Sequence, residues 1–132
     1  MLTFSSEQQQ FRDSLRRMLA ADYSFERRRE IAASARGWSA ATWRQLAELG
    51  VLALTLPEAH GGLGGGAMDA YVVMEEAGRA LLLEPWLPTV LMGAGVIARA
   101  GSADQCAAIL PAVGAGERQL ALAHYEPGAR YA

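Results

Sequence analysis

Residues 43–66 read WRQLAELGVLALTLPEAHGGLGGG, and this stretch decides the fold. Ser39 is a good N-cap for a helix that ends on Gly50, because glycine tolerates the left-handed geometry just past a helix C-terminus. Trp38 and Trp43 then fall at the N′ and N4 positions, where they can pack as a hydrophobic staple. Residues 51–56 form an apolar run that carries the chain inward. It reads either as a strand or as a buried extended connector. Pro57 ends the run and opens a glycine-dense turn.

Upstream, Ser5 and Gln8 fit a capping box, in which a hydroxyl and an amide satisfy free backbone donors at a helix start. Phe4, Phe11, Leu15, Met18 and Leu19 then recur at helical spacing, with arginines on the opposite face. A second helix is expected over residues 25–35. Its Arg27, Arg28 and Arg29 lie beside Glu26 and Glu30, which makes either a solvated ion-paired face or a patch for an anionic ligand.

Downstream, residues 67–83 read as a well-buried helix. Met68, Tyr71, Val72, Met74, Ala77, Ala80 and Leu81 cover much of its circumference, which implies packing on more than one side. Pro85 and Pro88 punctuate the next loop, and Thr89 can cap a helix running to Ala100. Gly93 and Gly95 inside it imply close approach by another helix or by a ligand. Gly101 closes that helix. Ser102 and Gln105 start another capping box, and Cys106, Ile109 and Leu110 supply its apolar face. Pro111 marks its end or last turn. Gly114 and Gly116 form a turn, and residues 119–125 read as the start of a strand. The expected fold is all-α, a bundle of about five or six helices ending in a short β-strand stub.

With 132 residues, 52% of them hydrophobic, the chain can bury a real core and is not of disordered composition. A net charge of −2 favours neither nucleic acid nor an anionic membrane. All twelve basic residues are arginine, which excludes a lysine Schiff base and a Walker-type phosphate lysine within these residues. The single cysteine, Cys106, fits a reducing compartment. The opening MLTFSSEQQQ has neither the basic nor the apolar block of a secretory signal. The longest uncharged apolar stretch, residues 86–98, is too short for a membrane span of about 20 residues. The expectation is a soluble, cytoplasmic protein.

Three features could carry chemistry. Gly62, Gly64 and Ala67 match G-x-G-x-x-A, the form of a dinucleotide-binding loop. Against that reading, PEAHG separates the glycines from the apolar run, and what precedes is helical instead of the start of a βαβ unit. A flexible connector that bends the chain over the helices is favoured. His60 has no second histidine or cysteine at metal-ligand spacing, and no metal site is expected. Glu75 and Glu76 are neighbours on a helix and so point about 100° apart, which speaks against a shared acid–base role. Glu75 and Arg79 stand one turn apart in a favourable order.

Trp43, Leu46 and Gly50 with Pro57, Glu58, His60, Gly61, Gly62 and Gly64 form a W-x-x-L-x-x-x-G…PE-x-HGG-x-G block. With the E-E-x-G-R run at Glu75 to Arg79 and the Glu126–Pro127 pair, it resembles the acyl-CoA dehydrogenase family. The resemblance implies an N-terminal helical domain over residues 1–116 and the start of a middle β-domain over residues 117–132. It implies an FAD-dependent oxidoreductase that takes an acyl-CoA thioester to its α,β-enoyl form. Its catalytic base belongs to a C-terminal domain, so no catalytic residue is assigned here. By the same resemblance, the backbone of Leu122, Ala123, His124 and Tyr125 contacts the flavin. Pro88, Thr89 and Met92, with Tyr131, contact the acyl-CoA substrate. Tyr125 stands where the family has threonine, and Arg130–Tyr131 where it has Gly-Ser. The remainder of the enzyme or a partner subunit is then required, in a homo- or hetero-oligomer. The alternative is a non-catalytic helical module that docks on a partner subunit.

Overall fold

The computed structural model describes residues 3–124 and 128. Six helices follow one another among the described residues: α1 (Ser6–Asp22), α2 (Phe25–Ala33), α3 (Ala40–Glu48), α4 (Ala67–Ala80), α5 and α6 (Ala103–Gly114). α5 is π-helical over Leu87–Ala94 and continues as α-helix over Gly95–Ala100. A single 3-10 turn, Glu58–His60, lies between α3 and α4. The all-α fold expected from the sequence is what forms.

Local chemistry sets most of the helix starts. Ser5 Oγ accepts from Gln8 N while Gln8 Oε1 accepts from Ser5 N, both at 3.1 Å. Ser102 and Gln105 repeat the arrangement before α6. Ser39 Oγ caps α3 by accepting from Thr42 N at 3.2 Å. The Trp38 and Trp43 rings meet edge-on across that cap, centroids 6.4 Å apart, so the staple forms. Gly50 takes φ +82°, as a helix exit demands.

The run 51–56 is neither strand nor extended. It winds through successive turns, with Ala53 N donating to Gly50 O and Leu56 N to Ala53 O. The winding places Val51, Leu52, Leu54 and Leu56 in the centre of the molecule. Around them pack Leu15 and Leu19 of α1, Leu46 of α3, Val90 of α5, and Leu110 and Val113 of α6. Two indoles tie the core to backbone. Trp86 Nε1 donates to Val51 O, and Trp43 Nε1 to Gly116 O, both at 3.0 Å.

Other expectations need correction. α4 stops at Ala80 because Leu81 turns left-handed at φ +53°. Nor is α4 buried all round. Val72, Val73 and Glu76 face inward, whereas Tyr71, Met74 and Leu81 are exposed. Thr89 does not cap α5, which begins at Leu87 with Pro88 in its first turn, where a missing N–H costs nothing. Pro111, by contrast, falls in the last turn of α6, which ends at Gly114, as expected. No strand forms among the described residues. A strand needs a neighbour to take its backbone bonds, and residues 119–124 run outside any ladder. Tyr125, the end of the expected strand, lies outside the described residues. No helix among the described residues is long and apolar enough to cross a membrane.

Candidate functional site

A groove of about 550 Å³ opens between the glycine turn and α5. Its first bank begins where the chain doubles back on the wound segment. Gly62 N donates to Pro57 O, Leu63 N to Ala53 O, Gly64 N to Leu56 O and Gly65 N to Leu54 O, all within 2.8–3.0 Å. The glycines permit this approach. A Cβ on Gly62 would run into the Leu56 backbone, and one on Gly65 would sit 2.7 Å from Leu54 O. The turn is therefore a hydrogen-bonded brace, not a loose connector.

The same bonds count against a phosphate cradle. Such a cradle needs free N–H groups at a helix N-terminus. Here those of residues 62–65 already have carbonyl partners. The next, Gly66 N, donates to Asp69 Oδ2 at 2.8 Å, and Gln8 Nε2 donates to Asp69 Oδ1 at 3.2 Å. A carboxylate thus occupies the start of α4, where a pyrophosphate would have to sit.

The groove is lined on this side by Thr55, Leu56 and Pro57 of the wound segment and by Ala67 and Ala70 of α4. The second bank is α5, with Val90, Leu91, Ala94, Gly95 and Ala98. Arg99 is the one charged residue on the lining among the described residues, its Nη1 3.4 Å from Gly95 O. The surface is apolar and built largely of small side chains, and the volume lies within the range of small-molecule sites.

Of the residues singled out from the sequence, Pro88, Thr89 and Met92 lie on α5 but are not among those lining the groove. Thr89 is fully buried against Leu120. Leu122, Ala123 and His124 are exposed on the segment after Leu120. Tyr125 and Tyr131 lie outside the described residues, as do Glu126 and Pro127. Sequence reasoning missed Val90, Leu91, Ala94 and Ala98. The one available signal was their recurrence at about one helical turn along α5.

A second polar cluster joins α1 to α4. Glu76 is 2% exposed and accepts from Arg16 Nε at 2.9 Å and Arg16 Nη2 at 2.6 Å. Arg79 Nε stands 3.7 Å away. The bonds from Arg16 hold the Glu76 carboxyl below the ordinary carboxylate value. Glu75 reaches the same Arg79 guanidinium, with Nη2 at 3.6 Å, so the two glutamates share that cation while Arg16 bonds Glu76. Beside them, the Tyr23 hydroxyl accepts from Leu83 N at 3.1 Å. Burial, and secondarily the nearby Glu84 carboxylate, push the Tyr23 phenol up to about 12. Among the described residues, no group of three or more His, Cys, Asp or Glu is placed to hold a metal ion.

Residues 5–117 match the family model described as acyl-CoA dehydrogenase, N-terminal domain. The acyl-CoA dehydrogenase IpdE2 of Mycobacterium tuberculosis is 37% identical over 100 residues, covering 75% of this chain and 31% of that protein. The ChsE4–ChsE5 complex from Mycobacterium tuberculosis superposes with a TM-score of 0.83 at 27% identity, over 90% of this chain and 33% of the matched one. An acyl-CoA dehydrogenase complexed with FAD from Bacillus anthracis shares the fold, with a TM-score of 0.84 at 24% identity, over 96% of this chain and 22% of that one. The chain spans less than a third of the length of the curated relatives it matches first.

Proposed function

The chain belongs to the acyl-CoA dehydrogenase family, and on that premise we propose that it forms the N-terminal helical part of an FAD-dependent enzyme. The reaction is the conversion of an acyl-CoA thioester to its α,β-enoyl form. Residues beyond this chain, in the remainder of the enzyme or in a partner subunit, complete the site. The observation that carries this reading is the groove between the glycine brace and α5, whose lining is mostly apolar apart from Thr55 and Arg99. An acyl tail lying there gains about 0.8 kcal/mol for each methylene taken from water. Val90, Leu91, Ala94 and Ala98 then exclude water from one side of the tail, with Pro88 and Met92 on the same helix near its course.

FAD supplies the oxidising chemistry when bound. The exposed run of Leu122, Ala123 and His124 fits a segment that lays its main chain along a flavin. We assign no catalytic base to this chain. The expected setting is the cytoplasm, consistent with Cys106 as a buried free thiol.

A second reading is a helical module that docks on a partner subunit without taking part in chemistry. The likeness to a ChsE4–ChsE5 complex favours it. One experiment separates the two. The chain is purified alone and mixed with a full-length subunit of the family, and each sample is titrated with FAD and with butanoyl-, octanoyl- and hexadecanoyl-CoA. Flavin absorbance and acyl-CoA binding that appear only in the mixture support the enzymatic reading. Association without acyl-CoA binding supports the docking module. Stoichiometric FAD on the chain alone overturns both.

A further inference from the structure

Thr89 and Gly93 stand four residues apart on the π-helical part of α5, and both meet Leu120. Thr89 is 0% exposed. Its Oγ1 donates to Leu120 O at 3.2 Å and accepts from Leu120 N at 3.3 Å. One hydroxyl thus takes both main-chain groups of a half-buried residue that has no ladder partner. Gly93 completes the contact from the next turn. A Cβ there would lie 2.5 Å from Leu120 Cβ, so only glycine lets Leu120 seat. Past Leu120 the chain is exposed as far as His124. Val90 and Ala94, each one residue further along the helix, line the groove. π-helical turns are rare and frequently mark functional sites.

We propose that Thr89 is a positioning residue. With Gly93 it clasps Leu120 and sets the direction in which Leu122, Ala123 and His124 leave the helical layer. The functional weight of this clasp rests on the reading above, in which those three residues lie along a flavin, but the clasp exists without any flavin and is tested without one.

The test is backbone amide order measured by NMR relaxation on the full 132-residue chain, as wild type, Thr89→Ser, Thr89→Val and Gly93→Ala. Rigid backbone gives order parameters of about 0.85 and flexible backbone less than about 0.6. The wild type and Thr89→Ser should hold Leu120 near the rigid value. Thr89→Val, which keeps the shape and removes the hydroxyl, and Gly93→Ala should drop residues 120–122 into the flexible range while α3 and α6 stay rigid. Order retained at Leu120 in Thr89→Val overturns the proposal. So does an equal loss across α3 and α6, which would mark Thr89 as a general core residue. Either outcome leaves the enzymatic reading to its own titration with FAD and acyl-CoA.

Discussion

Arg16 on α1 and Glu76 on α4 meet in a two-pronged contact of 2.9 and 2.6 Å, although 60 residues separate them. It joins the two helices at a point where the carboxylate is almost wholly shielded from water. A buried charge without its partner is costly, so the contact makes the α1–α4 packing sensitive to protonation.

Acid should therefore loosen the fold in a way that Glu76 controls. Arg16 hydrogen bonds, against the opposing effect of burial, hold the Glu76 pKa below its ordinary value of 4.5. A depressed folded-state pKa gives stability that is present above the ordinary value and is lost as pH falls through the folded one. The Arg16 guanidinium is itself held above its ordinary value by its hydrogen bonds to Glu76, and it stays charged throughout the acid range. Thermal melts from about pH 7 to about pH 3 should show the midpoint falling below the ordinary carboxylate value. Glu76→Gln should melt lower at neutral pH and lose part of the acid slope. An unchanged slope would refute the assignment.

Alkali should act through Tyr23. Its pKa is pushed from 10.0 up to about 12, first by burial. A raised folded-state pKa gives stability that is complete below the ordinary value and disappears as pH rises through the folded one. Unfolding midpoints should decline between those two limits. Tyr23→Phe should abolish that decline and lower stability at neutral pH by about 1–2 kcal/mol, because Leu83 N–H loses its acceptor.

Two glycines should respond oppositely to alanine. Gly62 lies against the Leu56 backbone, whereas a Cβ on Gly78 meets nothing within 4 Å. Urea titration should show Gly62→Ala destabilised by about 1–3 kcal/mol through overpacking. Gly78→Ala, inside α4, should gain about 0.5–1 kcal/mol from helix propensity.

Narrowing the groove should cost ligand and not fold. Ala70 and Ala98 line opposite banks. In the mixture with a full-length subunit, Ala70→Leu or Ala98→Leu should weaken hexadecanoyl-CoA binding about tenfold or more, about 1.4 kcal/mol, and leave FAD absorbance unchanged. Equal affinity by calorimetry would remove the groove from the substrate path.

The parts of the fold legible in the sequence are those decided within one turn of chain. Ser5 with Gln8, Ser102 with Gln105, and Trp38 with Trp43 could be read because each pair is three to five residues apart and acts through local geometry. What was hidden depends on distant partners. Thr89 looks like a helix cap until Leu120 is seen to occupy its hydroxyl. Glu76 looks like the twin of Glu75 until Arg16 draws it inward. The run 51–56 reads as a strand or an extended connector because its composition is apolar, and composition does not record that its carbonyls serve the glycine turn. The groove itself joins segments that no single window of sequence contains.

The glycine turn also fixes where deformation can occur. One wall of the groove is main chain bonded to main chain, and changing its spacing means breaking several of those bonds together. The facing wall is π-helical over Leu87–Ala94, so its main-chain bonds reach five residues along the helix and do not cross to a second segment. An occupant of this opening therefore meets, on the glycine side, a wall that cannot yield without giving up main-chain bonds.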